Sequence, residues 1–367
     1  MPVPFFDIKR QISTQKAELL RGLEATMDSG AFILGPQVEA FEAEFAAYCG
    51  TRYAVGVASG TDALLLALLA AGIKAGDEIV TSPFTFVATA EAINYIGAKP
   101  VFADIDPRTF NLDPTAVEKK ITKKTKAILP VHIYGQACRM DKIVETTKTY
   151  NLALIEDCAQ ATGAEWAGKK VGSFGLGAFS FFPTKNLGCF GDGGAVTTND
   201  ENIAKQLKIL RNHGTTKTYH HDLIGYNSRL DALQAGVLRP RLNMLDGWAE
   251  KRRNNANKYR SLLKGADGIA LPYEDPSGKH TYNQFVIKVK DRDKLFGYLQ
   301  EKKIGCMVYY PLSLHLQKAF EYLGHKKGDL PNAEKAQDEV LALPIFPELT
   351  DGEIEETASA IKEFFKK

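Results

Sequence analysis

The stretch SFFPTKNLGCFGDGG, residues 180–194, sets one lysine between aromatic and glycine-rich neighbours. Two phenylalanines and a proline precede Lys185, and glycines follow at 188, 191, 193 and 194. Such surroundings read as buried, and lysine is rarely buried unless it is paired or chemically used. On either side, AlaPheSerPhePhe (178–182) and GlyAlaValThrThr (194–198) have the β-branched and aromatic content of strands. Lys185 therefore sits in a loop between two strands. Upstream, strand-like runs recur at 78–81, 99–106, 127–132 and 152–157, with helical patterns between them at 61–72, 86–96, 113–120 and 140–149. Strands spaced by helices predict an α/β fold with a mainly parallel sheet covered on both faces.

The texture changes after about residue 245. A long amphipathic helix is expected over 244–263, then strands at 282–289 and 304–310, a helix at 292–302 and a C-terminal helix at 351–366. This is the pattern of a smaller α+β unit. The expected division is 1–248 and 249–367, with the N-terminal segment packing on the smaller unit. A chain of 367 residues exceeds one ordinary core. Its 44% hydrophobic and 25% charged residues belong to an ordinary globular protein.

A net charge of +2 and the lack of a Lys/Arg run give no case for nucleic acid. The apolar run at 63–71 is too short to cross a membrane, and the N-terminus has no secretory signal pattern. Cysteines 49, 138, 158, 189 and 306 form no C-x-x-C, which argues against a disulfide framework or a metal site and fits a reducing cytoplasm.

Open parallel sheets bind ligands beyond the carboxyl ends of their strands, and three features fall there. SerGlyThrAsp (59–62) opens a helix, as an ordinary cap or as an anion site. GluAspCysAlaGln (156–160) ends an apolar strand with two acids and an amide. Lys185 would have a depressed pKa if buried, and a neutral lysine amine is a nucleophile that forms Schiff bases. Alone, each feature has an ordinary structural explanation. Together they are what pyridoxal phosphate requires: a helix N-terminus for its phosphate, a carboxylate for its ring nitrogen and a lysine for its aldehyde. ProPheThrPheValAlaThr (83–89) offers an aromatic to stack on the ring.

The sequence resembles the sugar-nucleotide aminotransferases of the DegT/DnrJ/EryC/StrS family, which are fold-type I pyridoxal-phosphate enzymes. The likeness spans nearly the whole chain. It is carried by GlyAlaPheIleLeuGlyProGlnVal (30–38), the four segments above, GlyAspGlyGly (191–194), LeuArgAsnHisGly (210–214) and TyrAsnSerArgLeuAspAlaLeuGlnAla (226–235), in the family's order. The resemblance implies that Lys185 carries the cofactor, Asp157 pairs with the pyridine nitrogen and Gln160 bonds the phenolic oxygen. It implies that Phe86 stacks on the ring and that Gly60, Thr61 and Ser180 hold the phosphate. Asn227 would reach the phosphate of the other subunit of a homodimer, and Arg229, Tyr309 and His315 would line the sugar side.

Within the family, 219–231 and 181–194 look closest to enzymes that aminate C3 of UDP-2-acetamido-2-deoxy-3-oxo-glucuronate for surface polysaccharide, with L-glutamate as donor. Adjacent His220 and His221 would point opposite ways in a strand, so loop packing or a substrate contact suits them better than a metal. Alternatives are a 3- or 4-keto-6-deoxy hexose as acceptor, or a cofactor-binding regulator without turnover. A Rossmann site is excluded, because GlySerPheGlyLeuGly (172–177) precedes a strand rather than opening a helix.

Overall fold

The computed structural model describes residues 2–366. Seven strands form the main sheet: β1 (Tyr53–Val57), β2 (Glu78–Thr81), β3 (Lys99–Phe102), β4 (Thr125–Leu129), β5 (Ala153–Asp157), β6 (Leu176–Ser180) and β7 (Gly194–Thr198). Their order is β1-β7-β6-β5-β4-β2-β3. Strand β7 runs antiparallel to both its neighbours, and the remaining pairs are parallel. Alternate side chains of one strand enter different cores, which is why these strands read as continuous apolar runs. Ile79 and Leu129 pack with Leu64, Leu66 and Leu68 of helix α1 (Gly60–Ala70). Val80 and Ile128 pack on the other face, in the cluster that holds Phe41, Phe45, Phe179 and Phe181. There the Phe45 ring meets Phe179 and Phe181 edge-on at 5.0 and 5.2 Å.

A further helix, α2 (Ala88–Tyr95), follows β2, and the long helix α3 (Ala232–Leu263) follows the main sheet. The sequence reading began α3 at 244, twelve residues late. Asp231 starts it by accepting from the Gln234 N–H, and Pro240 lies inside it. Pro240 lacks an N–H and so frees the Gly236 carbonyl. At that point the helix Lys16–Ser29 crosses, and a Cβ on Gly22 would lie 2.4 Å from the Gly236 oxygen. Two glycines thus bring the helices together at backbone distance.

The second core is built on a three-stranded antiparallel sheet, β8 (Ile269–Ala270), β9 (Phe285–Val289) and β10 (Val340–Leu343). Helices α4 (Arg292–Glu301) and α5 (Asp351–Lys366) pack on it. Helix α3 serves both cores: Leu242, Leu245 and Trp248 pack in the first, and Ala256, Tyr259 and Leu263 in the second. The division we propose at 248 therefore falls inside one continuous helix. Val3 also belongs to the second core and bridges Ile304, while Arg10 donates to both carboxylate oxygens of Glu353 at 2.8 and 2.7 Å. The expected strand at 304–310 does not form. Among the described residues it makes only the bridges Val3 to Ile304 and Met307 to Ala342.

Glu156 points away from Asp157, as neighbours in a strand must. Its fully buried carboxylate accepts from the N–H groups of Gly172, Phe174 and Gly175, each at 2.9 Å. The His132 Nδ1 accepts from the Cys138 N–H, so Nε2 carries the ring proton and donates to Glu156 at 3.1 Å. His132, Glu156 and Cys158 lie within 4.8 Å of one another, but the cluster is closed by its own hydrogen bonds. The carboxylate thus fixes the 172–175 loop that feeds β6. Glu156→Gln keeps one acceptor oxygen and strands backbone amides, so unfolding stability should fall by about 3 kcal/mol. An equilibrium denaturant titration of the two proteins measures the difference.

Candidate active site

At the carboxyl ends of β2, β5 and β6 the chain leaves a cavity of ≈640 Å³. It is lined by Gly60, Thr61, Phe86, Asp157, Gln160, Ser180, Lys185 and Tyr309, among others. Eight of the eleven expected site residues therefore converge on one space.

Helix α1 aims its N-terminus into the cavity. Ser59 caps it, its hydroxyl accepting from the Asp62 N–H at 3.1 Å. The amides of Gly60 and Thr61 have no acceptor within the helix, so they and the helix dipole suit an anion. A Cβ on Gly60 would lie 2.5 Å from the Ser180 Cβ, so only glycine lets the helix end approach that hydroxyl. This cradle fits a phosphate group.

Asp157 ends β5 and is buried. Its Oδ2 accepts from the Thr89 hydroxyl at 2.8 Å and its Oδ1 from the Ala159 N–H at 3.1 Å. Burial raises its pKa, while Thr89, Ala159 and the charge of Lys185 pull it back down. A partly satisfied carboxylate facing a cavity suits a protonated ring nitrogen.

Lys185 follows β6 in a loop tied at its base by the Cys189 N–H to the Phe181 carbonyl and the Phe181 N–H to the Gly193 carbonyl, each 2.8 Å. Gly188 is required there, because a Cβ would lie 2.6 Å from the Pro183 oxygen. Burial lowers the Lys185 pKa, opposed by the Asp157 charge. The same residue that the loop holds in place is thus shifted toward its nucleophilic neutral form.

Gln160 is oriented by the backbone. Its Oε1 accepts from the Tyr134 N–H at 2.8 Å, which leaves its NH₂ as a donor, and Nε2 donates to the Tyr310 hydroxyl at 2.8 Å. Tyr134 adopts a left-handed φ of 59° to present that amide. Phe86 and Phe182 line the cavity yet remain 58% and 49% exposed, so the wall is open on that side.

Three expected residues lie off the cavity. Asn227 is exposed, and Arg229 donates to Asn212 Oδ1 at 3.2 Å. His315 is buried against Glu334, with Nε2 to Oε1 at 3.0 Å, and does not line the cavity. His220 and His221 form a short exposed strand, and His221 Nδ1 donates to the His213 carbonyl at 2.9 Å. Sequence reasoning missed Thr89 and Tyr310. The i,i+4 spacing of Thr85 and Thr89 at the start of α2 was the available signal for the first; the doublet TyrTyr before Pro311 was that for the second.

The donor set fits pyridoxal phosphate at each functional group. Fold and site together define a pyridoxal-phosphate aminotransferase. The chain belongs to the DegT/DnrJ/EryC1/StrS aminotransferase family, whose pattern matches residues 13–362. It is 47% identical, over all of this chain and 99% of the relative, to a pleiotropic regulatory protein of Geobacillus stearothermophilus. It is 45% identical, over 98% and 97% of the two chains, to the UDP-N-acetyl-3-dehydro-alpha-D-glucosamine 3-aminotransferase of Acidithiobacillus ferrooxidans. The crystal structure of S. venezuelae DesV with a ketimine intermediate superposes with a TM-score of 0.98 at 43% identity, covering 100% of this chain and 99% of that one.

Gly60→Ala tests the phosphate cradle. The added methyl must push α1 away from Ser180, and affinity for pyridoxal phosphate should drop at least about ten-fold with the fold intact. Fluorescence titration of the apoprotein, with circular dichroism as the control, measures this.

Proposed function

We propose that the protein transfers the amino group of L-glutamate to C3 of a nucleotide-linked 3-oxo sugar, with UDP-2-acetamido-2-deoxy-3-oxo-glucuronate as acceptor. The observation that carries the reaction type is the convergence of Lys185, Asp157 and the α1 N-terminus on one cavity. Pyridoxal phosphate, when bound, supplies an aldehyde that exchanges amino groups and a ring that withdraws electrons from the reacting carbon. Asp157 holds the proton at the ring nitrogen. The Lys185 Nζ, its pKa lowered by burial, takes the α-proton from the donor and returns one to the sugar carbon. Gln160 donates its NH₂ to the phenolic oxygen, and the Gly60 and Thr61 amides with the Ser180 hydroxyl hold the phosphate. Phe86 covers one ring face and excludes water.

The wall left open at Phe86 and Phe182 supports a homodimer in which a second copy closes the site. In that arrangement Asn227 and Arg229 serve the neighbouring cavity. Among the described residues, Lys185 is the one cationic side chain lining the cavity, and Asp192 adds a carboxylate. Both L-glutamate and a uronic acid carry a further carboxylate, so a cation from a second subunit is needed, and Arg229 is our choice. A second reading has the uncarboxylated UDP-N-acetyl-3-dehydro-glucosamine as acceptor. It is favoured by the 45%-identical relative and by the lack of a second cation in the single-chain cavity.

Lys185→Ala should still bind pyridoxal phosphate but lose turnover by at least about 10³-fold. A variant that transaminates near the wild-type rate removes the assignment. The acceptor is read by running the sugar half-reaction backwards. UDP-linked 3-amino uronate should bleach the yellow cofactor band, and Arg229→Ala should slow that bleaching at least about ten-fold. Bleaching by UDP-3-amino-N-acetylglucosamine alone establishes the second reading, and bleaching only by 4-amino-6-deoxy sugars overturns both.

A further inference from the structure

Asp157 is held by two hydroxyls in series. Thr89 and Thr85 are both buried, and their hydroxyl oxygens stand 2.9 Å apart. Thr89 has one hydroxyl proton, and it goes to Asp157 Oδ2. The proton between the threonines is therefore donated by Thr85, and the series runs Thr85 to Thr89 to Asp157. On the other oxygen the Ala159 N–H completes the hold. The carboxylate is pinned at both oxygens and cannot turn about its Cβ–Cγ bond without breaking one contact.

We propose that Thr89, backed by Thr85, is a positioning residue whose hydroxyl fixes the Asp157 carboxylate toward the cofactor's ring nitrogen and so sets cofactor affinity. This rests on the pyridoxal-phosphate reading of the cavity. The same short turn carries Phe86, whose carbonyl accepts from the Thr89 N–H at 3.2 Å. One turn at the start of α2 thus carries both the ring's stacking partner and the brace of its ionic partner. Lys185, His132, Tyr310 and Cys158 are the other titratable groups that interact with Asp157, and none of their side chains donates a hydrogen bond to it. Thr89 is its sole side-chain donor among the described residues. Without that hydroxyl, burial acts against the carboxylate with less opposition, and protonation at a higher pH removes the acceptor for the ring N–H.

The test is titration of apoprotein with pyridoxal phosphate across a range of pH, for wild type, T89V, T89S and T85V. T89V should bind about ten-fold more weakly at neutral pH, as expected for the loss of a hydrogen bond to a charged group. Its loss of affinity on acidification should begin at a higher pH than in wild type. T89S should recover wild-type affinity to within about two-fold, and T85V should weaken binding by about two- to three-fold. Melting of the apoproteins separates a brace from a packing role: T89V should melt close to wild type. T89A replaces T89V if valine packs badly, with the same expectations. Equal affinity and an equal pH profile in T89V overturn the inference, and so does a T89S as weak as T89V. A wild type that binds no pyridoxal phosphate overturns the reading of the cavity itself, and the inference with it.

Discussion

Two consecutive carboxylates at the end of β5 decide how the rest is arranged. Burying a charge is costly unless donors surround it. The strand's alternation sends Glu156 and Asp157 to opposite faces, and the chain treats them differently. Glu156 receives three backbone amides and an imidazole, and it organises the 172–175 loop behind the sheet. Asp157 receives one hydroxyl and one amide, and its remaining capacity faces the cavity. The saturated acid builds the wall; the unsaturated one is left for chemistry. Lys185 depends on the same asymmetry, because the loop that Glu156 holds leads directly into β6 and the lysine loop beyond it.

The second core reaches the site through two segments, Asn283–Gln284 ahead of β9 and the chain that ends at Tyr310. Residues 304–310 leave the neighbourhood of β10 after the Met307–Ala342 bridge and run toward the main sheet. The Tyr309 carbonyl accepts from the Tyr134 hydroxyl, and the Tyr310 hydroxyl accepts from Gln160. Tyr134 in turn fixes the Gln160 amide through its own N–H. Gln160 is thus held on both sides of its amide, by the Tyr134 N–H and the Tyr310 hydroxyl. Burial raises the pKa of the Tyr310 hydroxyl, with the Asp157 charge acting in the same sense, so it stays neutral beside the amide.

Six strands of the main sheet were legible because each carries an apolar run separated by helical spacing; the edge strand β1, Tyr53–Val57, was not among those expected. Lys185, Asp157 and Gly60 stood out in the sequence because each breaks a local expectation: a cation among aromatics, acids closing an apolar strand, a glycine opening a helix; Gln160 was picked out by the family resemblance. The 304–310 segment was misread because its apolar alternation is that of a strand, whereas its backbone groups bond in turn to Leu299, Val3, Ala342 and the Tyr134 hydroxyl rather than to one neighbouring strand. The early start of α3 was hidden by Pro240, whose missing N–H is tolerated where Gly22 and Gly236 meet. His315 looked available in sequence, and its Nε2 pairs with Glu334, a partner nineteen residues away that no local pattern announces. Thr89 lay inside a segment noted for its aromatics, and its role exists only once α2 is laid against β5.

The docking of Val3 beside Ile304 and of Arg10 on Glu353 has a consequence for synthesis. Residues 3–10 find their places only in a core made by the last third of the chain, so they are synthesised well before their partners. At about 5–20 residues per second, some 300 residues of elongation leave that segment waiting roughly 15–60 s. The main sheet can assemble in that interval, since its strands all lie between residues 53 and 198. The N-terminal strap then closes last, so the order of manufacture and the order of assembly run in opposite directions at this end of the molecule.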